Sequence, residues 1–248
     1  MKTYIINLKA SLHRKEHMEN VLKPYGFLDI QFVEAIDGRA LSDKQIDNLF
    51  DCKLVEYRYG RQLKSGEYGC TLSHRRCMEY LLRSKDDYAL ILEDDVIITG
   101  DFVEAYRNIE RFLKHQEYPA VVLLSGDYWY CKKKKIYSGF VLADVYDAVC
   151  SQAYFINKKA ASIILASLPS YVADDWEVFL SKGINVKAVF PHVVDQDRKE
   201  FLTEISPDYE GVNRGNMDLS VKLHSYIRAI IKRFLVYINH FESKSFRW

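Results

Sequence analysis

The sequence alternates short apolar runs with longer segments of helical pattern. The apolar runs, each long enough for one buried strand, are YIINL, IQFVEAI, YALIL and AVVLLSG. Between them, CTLSHRRCMEYLLRS places apolar residues at helical spacing, and Ser42 with Gln45 forms a capping-box pattern. This order predicts an α/β fold with a Rossmann-like, mostly parallel sheet flanked by helices. Ligands bind such folds beyond the carboxyl ends of the strands.

The second half of the chain is more mixed. AVCSQAYFIN and INVKAVF have the composition of strands, whereas KKAASIILAS and DDWEVFLSKG have the spacing of helices. The chain has no internal repeat and no linker rich in Pro, Gly or Ser. We therefore expect a single domain of catalytic size over residues 1–217, followed by a tail over residues 218–248.

Composition and charge exclude several classes of protein. Hydrophobic residues make up 48% of the chain, charged residues 28%, and the net charge is +1, so neither disorder nor a nucleic-acid partner is expected. The apolar run in the opening MKTYIINLKA is too short for a secretory signal, and no run approaches the roughly 20 apolar residues of a membrane span, so a cytoplasmic protein is expected. Five cysteines without C-x-x-C spacing are expected to be reduced structural thiols.

Three consecutive carboxylates, Glu93, Asp94 and Asp95, follow the apolar run YALIL. Such groups repel one another and are costly to desolvate unless a cation or several donors neutralise them. If the strand continues, Glu93 and Asp95 point the same way and can hold Mg²⁺ or Mn²⁺ together with phosphate oxygens of a ligand. An exposed acidic turn is the commoner meaning of this pattern, and the residues alone leave both interpretations open.

Six segments together resemble glycosyltransferase family 25. In chain order they are YIINLKASLHRKEHM, EAIDGR, GEYGCTLSH, ALILEDDV, SQAYFINKKAA and DDWEVFL. The family includes bacterial lipopolysaccharide β-galactosyltransferases and resembles GT-A enzymes, in which an acidic motif holds a divalent metal against a nucleotide-sugar diphosphate. The resemblance implies a GT-A-like fold and a Mn²⁺ or Mg²⁺ site at Glu93 and Asp95, with Asp94 facing the donor sugar.

The resemblance also implies a donor site and a catalytic base. The donor contacts that it implies are Asn7, Arg14, Asp37, Gly66, Ser73 and His74. From DDWEVFL it implies that Asp175 is the general base of an inverting transfer and that Asp174 caps the following helix. From the residues alone, two acids at a helix start are at least as well explained as caps. His192 is a further candidate metal ligand that no family motif supports.

From Leu219 the chain has the pattern of a basic amphipathic helix. Apolar residues recur at helical spacing, and the basic residues, against a single Glu242, are Lys222, Arg228, Lys232, Arg233, Lys244 and Arg247. Such a helix can lie on an anionic membrane surface, to which the lysines of CKKKKIY would add if they are not simply a solvated loop. The alternative is a C-terminal helix packed on the domain. We favour association with the membrane.

Together these patterns predict an inverting, metal-dependent glycosyltransferase. The resemblance implies transfer of galactose from UDP-galactose to a lipid-linked lipopolysaccharide or lipooligosaccharide core glycan, at the inner face of the cytoplasmic membrane. A nucleotidyltransferase would need a glycine-rich phosphate loop near the N-terminus, and NLKASLHR has no glycine. The remaining alternative is a membrane-associated protein that binds glycan or nucleotide without transferase activity.

Overall fold

The structure is a computed structural model that describes residues 1–137, 139–197, 200–201 and 217–243. The strands in these ranges are β1 Lys2–Asn7, β2 Asp29–Glu34, β3 Tyr88–Glu93, β4 Val96–Ile98, β5 Ala120–Leu123, β6 Asp127–Tyr137, β7 Phe140–Val149, β8 Ala153–Asn157, β9 Asn185–Phe190, β10 Val194–Gln196 and β11 Phe241–Glu242. The helices are α1 Leu12–Leu22, α2 Asp43–Leu49, α3 Cys52–Tyr59, α4 Ser65–Arg83, α5 Phe102–Lys114, α6 Lys158–Leu165, α7 Trp176–Ser181 and α8 Leu219–Tyr237. A short 3-10 turn spans Gly38–Ala40.

The main sheet has the strand order β11-β6-β7-β9-β5-β8-β3-β1-β2, and β4 pairs separately with β10. β1, β2, β3, β5, β6 and β9 point in one direction, whereas β7, β8 and β11 run the opposite way. The predicted α/β class, with a mostly parallel central sheet flanked by helices, is confirmed. Two features interrupt the parallel order of the sheet. β8 runs antiparallel between β3 and β5, and β6 and β7 form an antiparallel hairpin.

Both faces of the sheet are covered, which explains why its strands read as continuous apolar runs. Ala89 and Ile91 of β3 pack in the layer under α4, α6 and α7, whereas Leu90 and Leu92 pack in the layer under α1 and α5. Successive side chains of a strand point to opposite faces, so one run of five apolar residues serves two layers. Several central residues, including Ile91, are fully buried.

The hairpin of β6 and β7 is a difference from the sequence prediction. The lysine-rich segment CKKKKIY is a strand rather than a solvated loop, and it pairs with β7 through several register shifts. Its four lysines are exposed, so no apolar alternation marks this strand in the sequence. Pairing with β7 supplies the backbone hydrogen bonds that the side chains do not predict.

The predicted C-terminal helix is confirmed as α8, and it lies beside β6. The predicted boundary near residue 217 adjoins residues 202–216, and Lys244 and Arg247 follow residue 243, so these parts of the prediction lie outside the described residues. In the described part of the chain, no helix combines the length and apolar character that crossing a membrane requires.

Candidate functional site

A cleft of about 670 Å³ lies beyond the carboxyl ends of β1, β2 and β3, with α4 forming one wall. These ends open on one edge because the strands are parallel and in register, with Ile6 beside Glu93 and Asn7 beside Glu34. The predicted site residues that line the cleft are Arg14, Asp37, Gly66, Ser73, His74, Glu93, Asp94 and Asp95. Residues from four separate segments of the sequence therefore meet at one place.

β3 ends at Glu93, and residues 94 and 95 form a turn before β4. The strand therefore does not continue through Asp95, although the sequence argument that Glu93 and Asp95 point the same way assumed that it does. The turn nevertheless leaves all three carboxylates facing the cleft. The backbone of Asp95 is fixed from the other side, since its carbonyl accepts a hydrogen bond from the amide of Asp197 at 2.8 Å.

Asp94 is held by two donors from the N-terminal segment. Asn7 Nδ2 donates to Asp94 Oδ2 at 2.7 Å, and Arg14 Nη1 donates to Asp94 Oδ1 at 2.8 Å. Burial raises the pKa of Asp94, and the hydrogen bonds from Arg14 and Asn7 offset part of that rise. Asn7 and Arg14, which were predicted to contact the donor, thus bind Asp94 directly. Arg14 also lines the cleft, whereas Asn7 is not among the described residues that line it.

Asp95 is bonded less completely. Its Oδ2 lies 3.6 Å from Arg14 Nη1, and its buried Oδ1 has no hydrogen-bond partner among the described residues. Burial, together with the charge of Glu93, raises the pKa of Asp95 to about 7. Buried carboxylate oxygens are nearly always paired in folded proteins, so an unpaired one at a cleft indicates a place for a cation or a donor group.

Glu93 is joined to the two elements that flank the end of β3. Ser151 Oγ donates to Glu93 Oε1 at 2.8 Å, and His74 Nε2 lies 3.3 Å from the same oxygen. The other ring nitrogen of His74, Nδ1, is 2.9 Å from the hydroxyl of Tyr154. His74 is only 3% exposed, so its orientation is fixed by these neighbours and by stacking on Tyr154.

Cys70 is part of the same group. Its Sγ, His74 Nε2 and a carboxylate oxygen of Glu93 all lie within 4.8 Å of one another. Burial raises the pKa of the Cys70 thiol well above its usual value, and nearby carboxylates, chiefly Glu93, raise it further. The cysteine pattern alone predicts a structural thiol here, although a position four residues before His74 on a helix is a signal that pairs the two side chains.

Ser73 and two glycines set how closely α4 approaches the segment after β2. Ser73 Oγ accepts from the amide of Ile36 at 2.8 Å and donates to the carbonyl of Gly69 at 2.6 Å. A Cβ on Gly69 would lie 2.4 Å from the carbonyl oxygen of Ile36, and one on Gly38 would lie 1.7 Å from that of Ser65. The contact therefore requires glycine at both positions.

Asp37 is engaged by its neighbour Arg39. Asp37 Oδ1 accepts from the Arg39 amide at 3.0 Å and from Arg39 Nε at 2.8 Å. The side-chain hydrogen bond from Arg39 lowers the pKa of Asp37. The pair lines the cleft together with Lys64, which no sequence motif predicted.

The two acids before α7 occupy different surroundings. Asp175 takes the N-cap position without a capping hydrogen bond, and its Oδ2 accepts from the Tyr59 hydroxyl at 2.5 Å. Asp174, predicted as the capping residue, instead accepts from the backbone amide of Cys150 at 3.2 Å, so that prediction is wrong. Burial raises the pKa of both acids, and the charge of Glu93 contributes at Asp174.

Neither Asp175 nor His192 is among the described residues that line the cleft. His192 is buried and lies edge-on to the rings of Tyr128 and Phe190. A residue of the cleft that the sequence did not reveal is Phe201, whose ring lies 4.9 Å from the guanidinium carbon of Arg14. Phe201 is far from Arg14 in sequence and belongs to no motif, so no local signal could have found it.

These observations define an α/β protein with an acidic ligand cleft at the carboxyl ends of parallel strands. The chain belongs to glycosyltransferase family 25, because the family model "Glycosyltransferase family 25 (LPS biosynthesis protein)" matches residues 1–176. The predicted family is thereby confirmed. The match extends from β1 to the start of α7, and so includes every site residue that the resemblance implies, whereas the further candidate His192 lies outside it.

Relatives of known name match a shorter part of the chain. "Glycosyltransferase 25 family member" of Aedes aegypti is 35% identical over 96 residues, which are 38% of this chain and 16% of that protein. "Procollagen galactosyltransferase 2" of Homo sapiens is 34% identical over 102 residues, 40% of this chain and 16% of that protein. The matched segment thus spans about a sixth of each relative.

Among solved structures, the inositol-1-phosphate CTP transferase from T. maritima is 11% identical and has a TM-score of 0.41. The comparison covers 92% of this chain and 96% of that one. A likeness of this size supports no inference about function.

Proposed function

We propose that the protein is a metal-dependent, inverting glycosyltransferase that transfers a sugar from a nucleotide-sugar donor to a glycan. Family membership supports the reaction class, and the observation that carries the proposal is the group of Glu93, Asp94 and Asp95 at the cleft. A nucleotide-sugar donor places a diphosphate at such strand ends, and the first turn of α4, with Ser65 and Gly66 in the cleft wall, favours an anion.

The residues present fit a divalent cation, because Asp95 Oδ1 is buried without a hydrogen-bond partner in the described part of the chain. Glu93 and Asp95 would hold Mn²⁺ or Mg²⁺, while Asp94 stays bonded to Asn7 and Arg14. When bound, the cation would neutralise negative charge on the diphosphate that leaves. Lys64 and Arg39, at the rim of the cleft, would add positive charge for the same group.

Inverting transfer needs a general base at the acceptor hydroxyl, and we propose Asp175 for that role. Tyr59 fixes one carboxylate oxygen of Asp175, which leaves the other available for a proton. Burial raises the pKa of Asp175, so the carboxylate is a better proton acceptor than an exposed aspartate. The neighbouring Asp174 is the alternative base, because burial and the charge of Glu93 raise its pKa as well.

For the donor we favour UDP-galactose, and for the acceptor a lipid-linked lipopolysaccharide or lipooligosaccharide core glycan. The name of the human relative contains galactosyltransferase, and the description of the family model contains LPS biosynthesis. Procollagen in the relatives' names shows that acceptors differ within the family.

We also propose that the protein works at the inner face of the cytoplasmic membrane, with α8 as the contact. Two basic residues of α8 face the protein: Arg228 Nη2 lies 3.2 Å and Lys232 Nζ 2.9 Å from Asp147 Oδ2. The opposite face carries exposed apolar residues at helical spacing, which are Leu223, Tyr226, Ile227, Ile230, Phe234 and Tyr237.

This outward face, here called the α8 apolar face, fits a lipid surface. The exposed lysines at 132–135 of the neighbouring β6 complement anionic headgroups, each adding about 1 kcal/mol near the surface. A helix packed on the domain accounts for the side of α8 that carries Arg228 and Lys232. The membrane proposal concerns the opposite, apolar side. A protein that meets a lipid-linked acceptor would gain from such a contact.

The test of the donor proposal is a panel of nucleotide-sugars with the full chain and Mn²⁺. We expect UDP-galactose to raise Tm and to release UDP, and a donor at one hundred times its Kd to stabilise the protein by about 2.7 kcal/mol. Stabilisation without UDP release would favour the non-catalytic alternative, and UDP release without transfer to lipooligosaccharide would favour a different acceptor. The absence of stabilisation by any nucleotide-sugar would overturn the proposal.

A further inference from the structure

The first half of α4 presents two metal-binding side chains to the cleft. Cys70 and His74 are four residues apart, so they lie one turn apart on the same face of the helix. Both line the cleft, and Glu93 at the end of β3 faces them. The ligand atoms, Cys70 Sγ, His74 Nε2 and a carboxylate oxygen of Glu93, are within 4.8 Å of one another. Bonds of about 2.0–2.3 Å to a common ion would need only a small inward adjustment.

His74 is prepared for such a role by its other nitrogen. Nδ1 is 2.9 Å from the Tyr154 hydroxyl, and Nε2 is buried without a hydrogen-bond partner among the described residues, although it is 3.3 Å from Glu93 Oε1. If Nδ1 carries the proton and donates to Tyr154, Nε2 presents a lone pair towards a carboxylate. Two facing lone pairs are unfavourable unless a cation lies between them, and metal-bound histidines usually have a second-shell partner of this kind.

Negative groups surround the thiol as well. Cys70 adjoins Glu93, and Asp95 lies in the same cleft with Oδ1 unpaired in the described part of the structure. A divalent cation would balance several carboxylates at once, whereas a structural cysteine gains nothing from facing them. Two independent features therefore point to an ion here, namely the geometry of the three ligand atoms and the unpaired Nε2 of His74.

We infer that Cys70, His74 and Glu93 bind one divalent transition-metal ion at the floor of the cleft, leaving its remaining positions open to a ligand. The binding of the ion follows from the three side chains alone. Its role in sugar transfer rests on the proposed function. Thiolate and imidazole ligands favour Zn²⁺ or Co²⁺ over Mg²⁺ and Mn²⁺, whose preferred ligands are oxygens. Glu93 thus belongs to the ligand set, and Cys70 and His74 set the preference for the metal.

The experiment is a Co²⁺ titration of the full chain after removal of metals with a chelator. A thiolate bound to Co²⁺ gives a sulfur-to-cobalt charge-transfer band in the near ultraviolet, which oxygen and nitrogen ligands do not give. We expect that band in the native protein, its loss in Cys70→Ser, and weaker Co²⁺ binding in His74→Gln. Tyr154→Phe should keep the band and weaken binding on the order of 10- to 100-fold. Excess Mg²⁺ should leave the band unchanged.

Cys131→Ser is the matched control, because Cys131 is an exposed free thiol on β6, away from the cleft, and its variant should keep the full band. Far-ultraviolet circular dichroism of each variant separates loss of ligand from loss of fold. A native protein without the band overturns the inference and favours an ion pair between His74 and Glu93. A band that survives in Cys70→Ser also overturns it, because the cobalt is then bound by another thiol.

The two proposals fail in different ways. The cobalt band without stabilisation by any nucleotide-sugar would leave the metal site standing and overturn the proposed function. Stabilisation by a nucleotide-sugar with Mg²⁺, in a protein that gives no cobalt band, would support the proposed function and overturn the metal site at Cys70, His74 and Glu93.

Discussion

Arg14 and Asp94 form a buried ion pair in which Arg14 Nη1 and Asp94 Oδ1 are 2.8 Å apart. The pair joins α1 to the turn after β3, and Asn7 adds a hydrogen bond to the same carboxylate. Arg14 also lies 3.6 Å from Asp95, so one guanidinium group balances charge from two acids of the cleft. The first segment of the chain therefore organises the acidic turn.

Removing one member of this pair should destabilise the protein strongly. Arg14→Met leaves Asp94 buried without its counter-charge, which costs about 3–5 kcal/mol when a buried pair is broken. We expect a smaller loss in the double variant Arg14→Met with Asp94→Asn, because no charge is then stranded. Urea unfolding of both single variants and the double variant measures the coupling. A free energy of unfolding that falls additively would contradict a direct interaction.

The raised pKa values of the acids at the cleft predict that stability falls as the pH rises. The folded protein keeps these protons to a higher pH than the unfolded chain, so between the two pKa values the native state binds more protons. The associated stability is complete below the ordinary aspartate pKa of about 3.9 and is lost as the pH passes the folded value, which is about 7 at Asp95.

Tm measured in chelator from about pH 5 to about pH 8 tests this sign. The Asp95→Asn variant should decline less than the native protein over this range, and the difference between the two curves isolates Asp95. Parallel curves would show that Asp95 titrates at its ordinary pKa. Adding Mn²⁺ to the native protein should reduce the decline, because a bound cation stabilises the ionised form.

The close contact between α4 and the segment after β2 predicts that Gly69→Ala is harmful. The added Cβ would lie 2.4 Å from the carbonyl oxygen of Ile36, so the helix must shift, at a cost of about 1–3 kcal/mol. We expect weaker binding of nucleotide-sugar as well, since Gly69 lines the cleft. Gly26→Ala is the control, because a Cβ there meets nothing within 4 Å. Equal Tm values for the two variants would refute the packing argument.

Asp175→Asn should abolish sugar transfer while leaving the donor bound. Loss of a general base lowers kcat by roughly 10²–10⁴-fold, whereas the Kd for UDP-sugar, measured by calorimetry, should change little. Asp174→Asn is the matched comparison, since the two acids are adjacent and both half-buried. Near-normal turnover in Asp175→Asn with a large loss in Asp174→Asn would assign the base to Asp174.

The α8 apolar face predicts binding to anionic vesicles. Ile230→Asp together with Phe234→Asp should abolish co-sedimentation with vesicles that contain phosphatidylglycerol, and activity on a soluble acceptor should remain. Leu168→Asp is the control, because Leu168 is similarly exposed but lies outside α8. Lys132→Ala with Lys134→Ala should weaken binding mainly at low salt. A native dimer that the α8 variant converts to monomer would show that a second copy covers this face instead.

Much of the fold was predictable because it rests on local patterns. The apolar runs of β1, β2, β3 and β5 and the helical spacing of α4 follow from burial on one or both faces. The capping box of Ser42 and Gln45 forms as its sequence predicts. β6 was not predictable, because its exposed lysines carry no apolar alternation and its stability comes from pairing with β7. Asp174 was misjudged because its partner, the Cys150 amide, lies 24 residues away.

The sequence by itself determined the α/β class, the family and the set of polar residues that follow the strands. These three features depend on short-range periodicity and on motifs that can be read directly from the order of residues in the chain. Only the tertiary structure decided how the members of that set divide: Asp94 pairs with Arg14 and Asn7, Glu93 faces His74 and Cys70, and Asp95 keeps an unpaired oxygen. Partners brought together by parallel strands and by the packing of α4 are distant in sequence, and their hydrogen bonds and charges exist only once those elements meet.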